Sequence, residues 1–321
     1  MNNGGTMKII KLFILILMIC NIAFAQLDEK EAELKKRTKD RPDGFSKKVT
    51  VNLTLNQANF SNWAAGGFNS ISVRSKINYM FHYKQDNRMW DNYGSVGYGI
   101  LDQENNQDII KTDDHFEYTS KFGYKSKSNF YYAMLWNLRT QMTPGYANPG
   151  DDKKVSDFLS PLYITASLGL DFNWIENLSV FASVVSTKMT YVNNQFLADA
   201  GAYGVEPAEY DEQGNMTEEG NNFKAEVGGY VKINFQDDII ENVEMISNLD
   251  LFSNYLDKPQ NIDINLELLL NMKINKYLTA NISTNFIYDD DIKISDKDDP
   301  EQGGPRLQFK EILGIGISFS F

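Results

Sequence analysis

From Arg306 to Phe321 the chain alternates with period two. Leu307, Phe309, Leu313, Ile315, Ile317, Phe319 and Phe321 share one parity, and Arg306, Gln308, Lys310, Gly314, Gly316, Ser318 and Ser320 share the other. That period belongs to a strand with one apolar face and one polar or small face. The same alternation recurs upstream. Over Ser70–Lys84, Ile71, Val73, Ile77, Tyr79, Phe81 and Tyr83 oppose Arg74, Lys76, Asn78, His82 and Lys84. Over Lys48–Gln57, Val49, Val51, Leu53 and Leu55 oppose Thr50, Asn52, Thr54 and Asn56. Read end to end, the pattern predicts twelve strands, of which Leu178–Tyr191 has ambiguous parity. Each has roughly the 9–11 residues, or slightly more, that a tilted membrane-crossing strand needs.

The links between these strands sort by length. Residues 85–88, 125–129, 173–177, 236–242 and 275–277 are short, and 58–69, 102–113, 143–160, 192–222 and 289–305 are long; 256–261, on the long side, is modest. Short and long alternate, which predicts an antiparallel β-barrel of the bacterial outer membrane. Its termini and short turns would face the periplasm and its long loops the outside. A last strand ending on an aromatic suits closure onto the first, whereas an edge strand of a soluble sandwich explains that segment but not the sorted loops. Tyr79, Phe81, Tyr83, Trp90, Tyr118, Phe122, Trp136, Phe172, Trp174, Phe235, Phe286 and Tyr288 fall near strand ends, where aromatic girdles form at the lipid–water interface. Glu311 shares the apolar parity of the last strand, so it is expected at the rim or at a bulge.

Targeting changes the domain reading. Residues 1–25 read as a signal peptide with Met7 as the true start: Lys8 and Lys11 precede an apolar run from Leu12 to Ile19 and the cleavage site Ala23-Phe24-Ala25. Residues 26–45 form a charged periplasmic leader, and 46–321 the barrel. Cys20 is the one cysteine, so the mature chain would carry no disulfide and no thiolate metal site. The 321 residues carry a formal charge of −12, which argues against nucleic acid as a partner. After the signal, no apolar run approaches the roughly 20 residues of a membrane helix.

Several segments taken in order resemble a family of uncharacterised outer-membrane proteins from Bacteroidetes, known only as a domain of unknown function. They are Asn62-Trp63-Ala64-Ala65-Gly66-Gly67 with Asn69-Ser70, Trp90-Asp91-Asn92, Tyr98-Gly99, Thr112-Asp113-Asp114, Gly123-Tyr124-Lys125, and Gln141 with Pro144-Gly145-Tyr146. Gly201-Ala202-Tyr203-Gly204-Val205, Phe252-Ser253-Asn254-Tyr255, Pro259-Gln260-Asn261 and Tyr288-Asp289-Asp290-Asp291 follow. The resemblance implies an outer-membrane β-barrel and supplies no activity.

Candidate chemistry is sparse. His82 and His115, the only histidines, fall on the lumen parity. Either beside Ser72, Ser75 or Asn78 would suit a lipid hydrolase, but no Gly-x-Ser-x-Gly context supports one, and polar filling of the lumen is the simpler reading. Parity also lines the lumen with Arg74, Lys76, Glu117, Lys121, Arg139, Glu226, Lys232, Asp263 and Glu267. Charges of both signs there either pair and occlude the barrel or line a narrow channel. The reading is therefore a narrow channel or solute-transport barrel, with a plugged structural or surface-binding barrel as the alternative. Trp63, Gly66, Gly67 and Asn69 suit a first outer loop that folds inward, or a tight turn with an interfacial tryptophan. No cofactor is expected, apart from Ca2+ or Mg2+ at the acidic outer loops. Asp289, Asp290 and Asp291 are the candidate ligands, against ordinary solvated charge. Expected partners are outer-membrane lipid, lipopolysaccharide, and the barrel-assembly machinery through the strand that ends in Phe321.

Overall fold

The computed structural model describes residues 43–60, 68–104, 108–126, 130–175, 177–275, 278–294 and 303–320, without the side chains of 173–175, 293 and 319–320. The expected signal peptide, nearly all of the leader, Trp63, Gly66, Gly67 and Phe321 lie outside the described residues.

Twelve strands form the wall: β1 (Gly44–Ala58), β2 (Ser70–Gln85), β3 (Arg88–Gln103), β4 (Ile110–Lys125), β5 (Phe130–Thr140) and β6 (Leu162–Ile175). They continue as β7 (Leu178–Tyr191), β8 (Phe223–Ile240), β9 (Val243–Asn254), β10 (Asp263–Lys273), β11 (Leu278–Tyr288) and β12 (Gln308–Ser320). Each pairs antiparallel with its chain neighbours, and β12 pairs with β1, so the sheet is a closed barrel. Closure leaves no open edge along the circumference. Among the described residues the β1–β12 ladder is the shortest in the wall. It pairs Thr50–Thr54 with Gly316–Ser320, whereas every other adjacent pair runs over ten or more positions. Among the described residues no helix is long and apolar enough to cross a membrane, which says nothing about crossing by strands.

Alternation sorts the side chains. Outward lie Val73, Ile77, Phe81, Trp90, Phe122, Tyr132, Trp136, Leu168, Leu313 and Ile315, all exposed. Inward lie Lys76, His82, Asp91, Lys121, Asn137, Asp171, Glu226 and Lys232, all buried. At the short-turn end the outward rings pack against one another. Phe45 and Tyr83 have centroids 4.6 Å apart, Phe130 and Tyr132 5.4 Å, and Phe130 and Phe172 5.9 Å. At the other end Phe286 and Phe309 lie 5.2 Å apart. Glu311 faces outward as the fourth residue of β12 from its long-loop end and pairs in regular register with Thr284, so the rim rather than a bulge accommodates it.

Two bulges explain where the sequence pattern blurred. Across β7, Leu168 pairs with Val185 and Leu170 with Ala182, while on the other side Gly228 pairs with Ser186 and Tyr230 with Ser183. One extra residue is therefore held in β7, and the inward parity passes from Phe181 and Ser183 to Ser186 and Lys188. Val184 and Val185 both face out, 76% and 60% exposed. The Ser183 hydroxyl fastens the bulge: it accepts from Val185 N (3.1 Å) and donates to the Leu168 carbonyl (2.7 Å). A second shift, Gly99 to Asp113 followed by Ile100 to Lys111, leaves Thr112 as the extra residue of β4. It extends β4 outward to Ile110 and carries Asp113, expected in an outer loop, into the wall.

The longest link, 192–222, is not merely solvated. Val192, Leu197, Ala198 and Val205 form a buried cluster with Ala202 and Tyr203 packed on it. A short helix, α1 (Gln195–Asp199), is capped by the Asn194 side chain, which accepts from Phe196 N (3.0 Å) and Leu197 N (3.4 Å). Burial pushes the Tyr203 phenol up to about 12, and its hydroxyl donates to the Val155 carbonyl at 2.6 Å.

The seam yields a prediction. A Cβ on Gly316 would stand 2.2 Å from the Leu53 carbonyl oxygen, which is backbone, whereas one on Gly314 would meet only the Thr54 side chain. Gly316→Val is therefore expected to abolish the compact, heat-modifiable form in mild-detergent gels and Gly314→Ala to retain it. Equal retention by both would show that the short ladder does not govern closure.

Candidate functional site

The lumen is where the chemistry collects, and the register decides which inward charges meet. At the long-loop end, Lys188 of β7 gathers three carboxylates: Asp263 at 2.5 Å, Asp289 at 2.8 Å and Glu226 at 3.8 Å. Lys224 joins Glu226 at 3.5 Å and forms an ion pair with Asp291. Asn254 donates to Glu226 at 3.1 Å. The outer loop rests on this cluster: at Gly204, φ is +79° and a Cβ would stand 2.8 Å from the Asp291 Cβ. Such a backbone favours glycine on both counts.

Across the mouth, Asp113 of β4 is fully buried between Arg74 (2.8 Å) and Lys310 of β12 (2.8 Å). The Lys310 pair spans the lumen between strands that are four apart around the barrel. His115 Nδ1 lies 3.4 Å from Asp113 Oδ1, and its Nε2 lies 3.0 Å from Ser95 Oγ. Deeper in, Lys76 of β2 reaches Glu267 of β10 at 3.2 Å, again a chord across the lumen, and Asn248 donates to Glu267 at 3.3 Å. Glu117 accepts from Asn137 at 2.9 Å. Lys232 bonds Asp250 at 2.9 Å, and the Tyr230 hydroxyl donates to the same carboxylate. The Arg139 guanidinium lies over the Tyr163 ring, 5.7 Å from its centroid. Lys121 pairs with Asp171 at 2.8 Å, and His82 with Asp91 at 2.8 Å.

All eleven lumen residues expected from the sequence thus face inward, in several separate groups rather than one site. Arg74 shares Asp113 with His115, and Glu226 shares Lys188 with Asp263. His82 keeps to Asp91. Ser75 falls on the outward parity, and Ser72 accepts from Asn56 at 3.3 Å. Asn69 joins two loop edges: its Oδ1 accepts from Phe60 N at 2.6 Å, and its N–H donates to Glu104 at 3.2 Å. The aspartates read as metal candidates are otherwise engaged. Asp289 meets Lys188, Asp291 meets Lys224, and Asp290 accepts from Asn261 at 2.6 Å. Among the described residues no group of three or more histidine, cysteine, aspartate or glutamate side chains is arranged to hold a metal ion.

Two features were missed by pattern reading. One is Lys188, hidden by the β7 bulge. The other is an apolar cluster inside the lumen, formed by Ala133, Leu135, Phe181, Tyr230 and Phe252. It fills one side of the interior between β5 and β9, and only the inward parity of β5 announced it. Beneath Lys76 and Glu267 a cavity of about 300 Å3 remains, reaching the short-turn end at Asn177, Gln236 and Asp238. Asn52, Asn78, Asn234, Asn248 and Asn271 line it, with Leu135 and Phe181 on one flank.

Residues 55–146 match the model of the family described as "Protein of unknown function (DUF3078)". That span, less than a third of the chain, contains the segments from Asn62 to Tyr146 that carried the sequence resemblance. No curated protein matches. Among solved structures the chain is similar to the translocator domain of the autotransporter NalP from Neisseria meningitidis, with 9% identity, TM-score 0.35, and coverage of 88% of this chain and 90% of that one. It is also similar to the COG4313 outer membrane channel from Pseudomonas putida F1, with 10% identity, TM-score 0.36, and coverage of 87% and 96%. A third is the NanC porin, with 9% identity, TM-score 0.35, and coverage of 85% and 98%. At such scores the likeness carries no argument, and the barrel stands on its own strand pairing.

The Lys188 cluster is tightly enclosed, and its four side chains are at most 17% exposed. Removing Lys188 strands Asp263 and Asp289, since Lys224 lies beside Glu226 and Asp291, and a stranded buried carboxylate costs about 3–5 kcal/mol where water is excluded. Lys188→Ala is expected to lower the urea unfolding midpoint of the detergent-solubilised barrel accordingly. A loss below about 1 kcal/mol, the scale of a surface pair, would mean that water reaches the cluster freely.

Proposed function

We propose that the chain is an outer-membrane channel for small solutes that rests closed. Two features support placement in a membrane. The outward face is an apolar band with aromatic residues towards both ends, and in water it would be a very large exposed apolar surface. In hydrocarbon, a closed sheet satisfies its backbone internally. The sorted link lengths support termini and short turns in the periplasm.

The observation that carries the functional reading is the lumen. A cavity of about 300 Å3 rises from the short-turn end and stops beneath the Lys76–Glu267 pair, with Arg74, Asp113 and Lys310 farther out. Ion pairs are exchangeable partners: side chains that swing apart regain water. A gate of this kind can open without unfolding the wall. The plugged, surface-binding barrel is the second reading, favoured by the apolar cluster from Ala133 to Phe252 and by the outer loop packed on Asp291.

Planar-bilayer recording separates the two. Wild-type protein is expected to show rare, small steps, and the double variant Lys76→Ala with Glu267→Ala larger and more frequent ones. Silence from both at every voltage would favour the plugged barrel.

A further inference from the structure

Ser95 on β3 and His115 on β4 face the lumen at neighbouring levels. The register sets His115 directly opposite Gly97 and Ser95 opposite Glu117. The imidazole lies over Gly97, where a Cβ would stand 2.2 Å from its Cε1. A side chain there would displace the ring, so the glycine is what lets His115 reach Ser95. The contacts run in series: Ser95 Oγ to His115 Nε2 at 3.0 Å, then His115 Nδ1 to Asp113 Oδ1 at 3.4 Å. Arg74 and Lys310 fix the Asp113 carboxylate in place.

A hydroxyl on one ring nitrogen and an anchored carboxylate on the other is the arrangement that activates a serine nucleophile. The 3.4 Å link is long, as such links are before substrate binds. Ser95 also borders the cavity of about 300 Å3, as do Asn78 and Lys76. Asn78 is the cross-strand partner of Ser95, and Lys76 that of Gly97. The Asn78 carboxamide is a donor on the neighbouring strand at the level of the hydroxyl, where a developing oxyanion needs one, while the Lys76 ammonium is held by Glu267.

We propose that this is an acyl-transfer site, with Ser95 the nucleophile, His115 its base and Asp113 the positioning residue. Its substrates are short-chain carboxylic esters of polar alcohols that enter from the short-turn end. Ser95 Oγ attacks the ester carbonyl carbon as its proton passes to His115 Nε2. The tetrahedral adduct collapses, the ester C–O bond breaks, and the alcohol leaves with that proton. Water, deprotonated by His115, then cleaves the acyl-serine to give the carboxylic acid and free Ser95. Leu135 and Phe181 offer an apolar flank for a short acyl chain, and the carboxamides of Asn52 and Asn234 suit the polar alcohol. The site needs only the cavity, so it is independent of whether the lumen conducts.

The test is a fluorophosphonate probe on the purified full chain in detergent, with the adduct located by peptide mass spectrometry. Attack by Ser95 forms a serine–phosphorus bond and expels fluoride. The expected result is an adduct on Ser95 in the folded protein and none after heat denaturation. In His115→Gln, labelling is expected to slow about a hundredfold or more, the scale of a lost general base. Hydrolysis of p-nitrophenyl acetate should vanish in Ser95→Ala while heat-modifiable migration persists. Asp113→Asn should lower kcat and leave KM unchanged. Absence of a Ser95 adduct in the folded wild-type protein, which requires no variant to fold, would overturn the proposal, as would equal labelling of His115→Gln. Unchanged kcat in Asp113→Asn would remove that residue from it.

Discussion

The structure depends on the backbone ladder that joins β12 to β1. A sheet with a long free edge in hydrocarbon would expose unpaired N–H and C=O groups, each costing several kcal/mol. Closure removes that cost, and among the described residues it does so through Thr50–Thr54 and Gly316–Ser320. Once the sheet is closed, alternate residues have no choice of face. The apolar set meets the surroundings and the polar set meets the lumen, which is why a chain with a negative mean hydropathy can build an apolar outer surface.

The polar set then has to be satisfied inside the lumen. The chain does this with pairs that reach between non-adjacent strands, such as Lys76 to Glu267 and Lys310 to Asp113. Near the long-loop end carboxylates crowd, and Lys188 and Lys224 hold them together. Between these sits the apolar group of Leu135, Phe181 and Phe252, which fills volume without needing partners. The interior is therefore graded: cation-bridged carboxylates beneath the 192–222 loop, an apolar flank beside the mid-level pairs, and a cavity lined by carboxamides towards the short turns. Passage of a solute would work against the ion pairs, whereas binding or chemistry in the cavity would not.

Much of the wall was legible because period two is a strong signal over strands of this length. The twelve strands, the alternation of link lengths and the inward charges from Arg74 to Glu267 follow from it. What was not legible depends on register. One extra residue near Val184 reverses the parity of β7, so the strand's parity is ambiguous in the sequence and the inward face of Lys188, which organises the cluster at the long-loop end, is hidden. Asp113 already shares the inward parity of His115; what the pattern does not show is that β4 runs on through the Thr112 bulge to Ile110, so that Asp113 lies in the wall and not in the loop. Ser95 and His115 are twenty positions apart, and only the pairing of Gly97 with His115 brings them together. The small core of the 192–222 loop was present in the sequence as Val192, Leu197, Ala198 and Val205, but the acidic residues around it drew the reading towards a solvated loop.

The central claim is a closed wall whose inward and outward faces are set by strand pairing and reset where a bulge intervenes, as in β7. Single spin labels placed at positions 181 to 188 of the detergent- or lipid-embedded protein test it through collision with oxygen, which concentrates in apolar surroundings, and with a water-soluble nickel chelate. The account predicts that labels at 184 and 185 are both oxygen-accessible, that 183 and 186 are both shielded from it, and that alternation resumes on either side. Strict alternation through 184 and 185, or uniform access of the chelate along the segment, would contradict it.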